Sequence, residues 1–230
     1  MMGDETRIGI LLAGHAPDEI RKDMGNYDRM FADLLAGHGF TYDTYAVVDG
    51  EFPPGVDAAD GWLITGSKHG AYEDHDWIPP LEEFIRAVRD DGRPMVGICF
   101  GHQIIAQALG GKVEKFEGGW AVGRQNYRIE GQPLQLNAWH QDQVVELPEG
   151  AKVIGESEFC RNAALLYGDS IYTVQPHPEH TNAFVERLIE SRGRGLVPDV
   201  LLDGALAQTD RPTDAQIVAD RMAHFLKRGA

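Results

Sequence analysis

The sequence predicts an α/β fold: a doubly wound, mostly parallel central sheet flanked by helices, with antiparallel hairpin strands added in the second half. Three observations predict it. Arg7–Ala13, Gly61–Thr65 and Met95–Cys99 are nearly continuous apolar runs, the mark of strands buried on both faces. Between and after these runs lie segments with helical periodicity. Beyond Lys112 the pattern changes to short β-like segments separated by turns. At 230 residues, 43% hydrophobic and 25% charged, the chain suits one large α/β domain over 1–230, with 191–230 as a helical C-terminal extension.

Taken in order, Arg7–Ala13 is the first strand. Asn26 is placed to cap a helix over Tyr27–Ala36, with Met30, Phe31, Leu34 and Leu35 on one face and Gly37 or Gly39 ending it. Thr41–Val47 alternates as a second strand, and 48–54 is a loop. Gly61–Thr65 runs into the glycine-bearing loop Gly66-Ser67-Lys68-His69-Gly70. Pro79 or Pro80 starts a helix through Arg89, closed by Asp91-Gly92. The Met95–Cys99 strand and a Gly101–Leu109 helix follow. Lys112–Phe116, Gln125–Ile129, Leu134–Ala138, Gln143–Leu147, Lys152–Glu156, Ala163–Tyr167 and Ile171–Val174 read as hairpin strands on the sheet edge. Thr181–Arg192 is a helix with Phe184, Val185, Leu188 and Ile189 as its apolar face, and Pro198–Ala207 is another. Thr213 caps a last helix through Lys227, with Ile217, Met222, Phe225 and Leu226 inward.

A net charge of −15 argues against nucleic-acid and anionic-membrane partners, which require a basic face. Two cysteines, Cys99 and Cys160, suit a reducing compartment. The start, Met1–Glu5, is acidic and lacks the basic region of a signal peptide, and no apolar run is long enough to span a membrane. The expected location is the cytoplasm.

The chemistry centres on Gly97-Ile98-Cys99-Phe100-Gly101, which has the G-x-C-x-G form of a nucleophile elbow. The glycines are required where strand and helix approach closely. A helix N-terminus aimed at Cys99 favours the thiolate. The same pattern fits a buried structural cysteine. A thiol nucleophile needs a base, and the base an orienter. Of nine histidines, His177 stands out because it follows the strand Ile171–Val174. Such a position shares the sheet edge with an elbow cysteine. Pro176 and Pro178 stiffen the backbone around it, and Glu179 can fix its tautomer. Other readings are His177 as a cap of the next helix with Glu179 solvated, or a metal held by His177, Glu179 and His180, which lack a clean ligand set. Glu73-Asp74-His75-Asp76 reads as a solvated loop, Cys160 as a bystander, and the Gly66–Gly70 loop lacks the ending of a phosphate-binding P-loop. No metal and no organic cofactor is expected.

Gly97–Gln103 together with Gln175-x-His177-Pro178-Glu179 resembles the class I glutamine amidotransferases over residues 7 to 190. The resemblance implies a Cys99, His177, Glu179 triad, with Gln103 holding the amino-acid end of the substrate. It also implies that the backbone of the His140-Gln141 segment binds the α-carboxylate. The backbone N–H groups of Phe100 and of the Gly66–Ser67 turn would form the oxyanion hole. Pro176 departs from the family pattern, which often has an aromatic or apolar residue there. Val47–Pro53, Asp76-Trp77-Ile78, Gly97–Ala106 and His140-Gln141-Asp142-x-Val144 are similar to the plant γ-glutamyl peptidases, and to stand-alone proteins likened to the glutaminase domain of GMP synthase. The implied substrate is L-glutamine or another γ-glutamyl compound. The first reading is a glutaminase donating ammonia to a separate synthase subunit. The alternatives are a self-contained γ-glutamyl peptidase and a non-catalytic binding protein.

Overall fold

The computed structural model describes residues 6–227, so the acidic start at Met1–Glu5 lies outside the described residues. The strands are β1 (Thr6–Leu11), β2 (Phe40–Tyr45), β3 (Gly61–Ile64), β4 (Met95–Ile98), β5 (Lys112–Lys115), β6 (Ala121–Ile129), β7 (Gln132–His140), β8 (Asp142–Glu146), β9 (Ala151–Glu156), β10 (Ala164–Tyr167) and β11 (Ile171–Val174). The helices are α1 (Asp18–Met24), α2 (Tyr27–Leu34), α3 (Ile78–Asp91), α4 (Phe100–Ala108), α5 (Asn182–Leu188), α6 (Asp199–Leu206) and α7 (Ala215–Leu226).

A nine-stranded sheet runs in the order β2-β1-β3-β4-β11-β10-β9-β6-β7. Its first five strands are parallel and the pairings from β11 through β7 are antiparallel. Alternation within the parallel strands divides the core. Ile8, Ile10, Leu63, Val96 and Ile98 meet Phe31 of α2, Leu35 at its C-cap, and Val218, Met222 and Phe225 of α7. Leu11, Trp62, Ile64 and Met95 meet Leu81, Ile85 and Val88 of α3, and Phe100, Ile104 and Ile105 of α4. Covering both faces is what makes these strands apolar without a break. A third cluster joins α1, α5 and α6 to Val122 and Trp139. Among the described residues no helix is long and apolar enough to cross a membrane.

Several expectations change. Ile171–Val174 is not an edge hairpin: it pairs parallel with β4 inside the sheet. β5 and β8 leave the sheet and pair with each other. Helix α1 was not foreseen because Ile20 is its only buried residue, too little for an apolar stripe. Asn26 stands at the N-cap of α2, but its side chain accepts from the Ala16 N–H and bonds His15 instead of the helix. The predicted Thr181–Arg192 helix ends as α5, and a π-helical turn, Ile189–Gly193, follows it. Asp214 rather than Thr213 precedes α7, its carboxylate accepting from the Gln135 N–H. Ile217 faces outward, 41% exposed. The C-terminal helix α7 packs on this chain's own sheet.

Candidate active site

Strand β4 ends at Ile98, and Cys99, between it and α4, has φ 51° and ψ −101°. A non-glycine residue there is strained and is kept so only by its surroundings. Those surroundings are tight. A Cβ on Gly97 would lie 2.6 Å from the Gly101 carbonyl oxygen, and one on Gly101 would collide with the Ile64 carbonyl oxygen. The Cys99 N–H donates to Val174 O at 2.9 Å, so the β4–β11 ladder extends to the cysteine. The chain leaving β11 therefore emerges beside it. Gln175 N–H donates to Ala163 O and His177 N–H to Asn137 O, both at 2.8 Å.

His177 and Glu179 are buried at this edge, with His177 Nδ1 2.7 Å from Glu179 Oε1. Its ring and the Cys99 side chain both border Gly66. Burial alone would lower the His177 pKa, but the negative charges of Glu179 and the Cys99 thiolate outweigh it and hold the pKa above the ordinary histidine value. His180 stacks on His177 with ring centroids 3.9 Å apart and planes 3° from parallel, and Phe184 covers His180 at 4.5 Å. Burial, then the His177 and Arg192 charges, push the His180 pKa well down, leaving a neutral ring under a charged one. Thr181, not His177, caps α5: its hydroxyl accepts from the Phe184 N–H at 3.2 Å.

A cavity of about 390 Å³ opens over Cys99 and is also lined by Ser67, Gln103, His140, Gln141, Lys68, Lys115, Trp139 and Arg192. Gln103 Nε2 donates to Asp142 O at 2.9 Å and to Gln175 Oε1 at 3.1 Å, while Gln175 Nε2 donates to Cys99 Sγ at 3.5 Å. Both Gln103 N–H groups are thus spent on the protein, and its carbonyl oxygen is the remaining acceptor. His140 Nδ1 lies 3.2 Å from Asp142 O. Burial, aided by the His177 charge, lowers the His140 pKa to about 3. Gln141 Nε2 donates to Phe116 O at 3.2 Å. A Cβ on Gly66 would lie 2.9 Å from His177 Cε1 and 3.9 Å from Cys99 Cβ, so the Gly66–Ser67 turn borders both side chains. Phe100 opens α4, where backbone N–H groups have no acceptor within the helix.

The structure thus brings Cys99, His177, Glu179, Gly66, Ser67, Phe100, Gln103, His140 and Gln141 around one site. Cys160 sits in the core, and burial pushes its pKa up to about 12. Two residues escaped sequence reasoning. Gln175 lies in the bend just past β11, so no local period places it on the cysteine side. No sequence signal announces the His177–His180 stack, which depends on the turn geometry after β11.

A family model described as glutamine amidotransferase class-I matches residues 56–187. Gamma-glutamyl peptidase 4 of Arabidopsis thaliana is 33% identical, the match covering 99% of this chain and 98% of its own. The GMP synthase [glutamine-hydrolyzing] of Azoarcus sp. (strain BH72) is 39% identical over 53% of this chain and 26% of its own length. A glutamine amidotransferase structure from Thermotoga maritima superposes with a TM-score of 0.74 at 21% identity, covering 98% of both chains. One from Methylobacillus flagellatus gives 0.75 at 21% identity, covering 97% of this chain and 94% of its own.

Proposed function

Because the chain belongs to the class I glutamine amidotransferase family, we propose that it hydrolyses γ-glutamyl amides through a γ-glutamyl thioester on Cys99, with γ-glutamyl peptides as the preferred substrates. The observation that carries the reading is the buried array in which Glu179 holds His177 and His177 meets Cys99. Cys99 thiolate attacks the γ-carbonyl carbon. Backbone N–H groups of Phe100 and the Gly66–Ser67 turn receive the developing oxyanion. The His177 imidazolium gives its proton to the leaving amine as the C–N bond breaks. A water molecule, deprotonated by His177, then cleaves the thioester, and glutamate leaves with the thiolate restored. The Gln103 carbonyl oxygen accepts from the substrate's α-ammonium, and the His140–Gln141 backbone meets its α-carboxylate.

The preference for peptides rests on charge. In a chain of net charge −15, the cavity of Cys99 is lined by three cations, Lys68, Lys115 and Arg192, against two carboxylates, Glu73 and Asp142. A glutamyl group supplies one carboxylate to such cations, and a peptide leaving group supplies another, whereas ammonia supplies none. The match to the Arabidopsis peptidase also runs nearly the full length of both chains. The likeness to a GMP synthase favours a second reading, a glutaminase feeding a separate synthase subunit.

Glutamate release from glutathione and from L-glutamine by the purified protein separates the two, with Cys99→Ala as control. The proposal expects turnover of glutathione well above that of glutamine, abolished by Cys99→Ala. Glutamine hydrolysis that dominates, or that rises steeply with an added synthase, would replace the peptidase reading. No release from either compound would overturn both.

A further inference from the structure

Beside the Cys99 cavity, three side chains form a cluster that the proposed hydrolysis does not use. Glu73 Oε2 is 2.8 Å from His75 Nε2 and 3.3 Å from His69 Nδ1. One ligand atom from each of His69, Glu73 and His75 lies within 4.8 Å of the others. Ligand atoms about 2.0–2.2 Å from a tetrahedral ion lie roughly 3.3 Å from one another. The Glu73–His69 separation already has that value, and the Glu73–His75 one needs to open by only about half an ångström when an ion replaces a proton.

The imidazoles are also held in place. The His75 ring stacks on Trp77 at 5.9 Å and 13°, His69 meets the His75 ring edge-on at 4.3 Å, and Trp77 packs on Phe100 at 5.5 Å. His69 and Glu73 line the cavity of Cys99, and His69 and His75 line the adjoining groove with Asp49 and Trp77. The His69 N–H donates to Ser67 Oγ at 3.1 Å, which ties the cluster to the turn beside the cysteine.

We propose that His69, Glu73 and His75 form a site for one borderline divalent cation, Zn²⁺ by ligand type, at the lip of the substrate cavity. Two imidazoles and one carboxylate suit zinc better than magnesium or calcium, which take oxygen ligands. The Glu73 side chain is 43% exposed and that of His75 34%, leaving the ion an open side for water or for a carboxylate or thiolate of a bound compound. The reading of residues 73–76 as a plain solvated loop left out His69, which lies four residues before Glu73.

The test is titration of chelator-stripped protein with Zn²⁺ against a metallochromic indicator, in a Cys99→Ala background that removes the thiol as a competing ligand. The proposal expects one equivalent bound, with affinity falling at least about tenfold in both Glu73→Gln and His75→Gln. Both substitutions lie on a partly exposed loop, and far-UV circular dichroism checks that each variant is folded. Failure of the Cys99→Ala protein to bind Zn²⁺, or equal binding in the loop variants, would overturn the site. Equal binding would move the ion to His177, Glu179 and His180. Mg²⁺ binding tighter than Zn²⁺ would overturn the assignment of the metal class. None of these outcomes touches glutamate release, so this site and the hydrolysis stand or fall separately.

Discussion

At the scale of residues, the site is a set of charges held out of water. The His177 pKa is raised because Glu179 and the Cys99 thiolate offset the cost of burial. A base with a raised pKa stabilises the fold fully below its unfolded value near 6.5, and this contribution is lost as pH rises through the folded value. Glu179→Gln removes one of the two negative charges. The expected outcome is a fall in kcat of at least about 10²-fold, with the alkaline limb of the pH–rate profile moved to lower pH. Titration of the His177 C2 proton by NMR checks the same shift. That Cys99, His177 and Glu179 come together was legible in the sequence because each belongs to a short motif. Gln175 and the stacked His180 were not, since their roles depend on where the chain turns after β11. His180→Phe preserves a flat ring beneath His177, whereas His180→Ala leaves a gap. Retained activity in the first and a loss in the second would identify packing of the ring, not its nitrogens, as what positions His177.

At the scale of elements, the elbow and the last helix set the tolerances. Gly101 lies against the Ile64 carbonyl, and backbone cannot move aside as a flexible side chain does. Gly101→Ala is expected to cost at least about 1–3 kcal/mol, read as a lowered denaturant midpoint with parallel loss of activity. In α7, Phe225 packs on Tyr172 of β11 with ring centroids 5.8 Å apart and is almost fully buried. Phe225→Ala is expected to cost about 3–5 kcal/mol by urea unfolding. Most elements were legible because burial on one or two faces prints a period on the chain. Helix α1 shows the limit: with Ile20 alone buried, nothing in its pattern separates it from loop. The outward Ile217 shows another, since α7 buries a narrower face than its apolar content suggests.

At the scale of the molecule, buried neutral histidines make the fold sensitive to acid. Burial, followed by the His140 charge, lowers the His102 pKa to about 3, and the His140 pKa is likewise about 3. Between about 6.5 and about 3 the unfolded chain binds these protons and the native chain does not. Stability therefore falls as pH falls, by about 1.4 kcal/mol per pH unit for each histidine. Thermal unfolding followed from about pH 6 to about pH 4 should show this slope, and His102→Gln should make it shallower by one proton's worth.

The sequence by itself determined the class of fold and the elbow that carries Cys99. Unbroken apolar strands, flanking helices and an elbow between glycines are local patterns, each readable within a few residues. Only the tertiary structure decided that β11 enters the sheet beside β4, which carries His177 to Cys99. It alone gathered Lys68, Lys115 and Arg192 around one cavity and set His69 against Glu73 and His75. Strand neighbours and loop encounters depend on which surfaces bury together, and that preference is shared among distant parts of the chain.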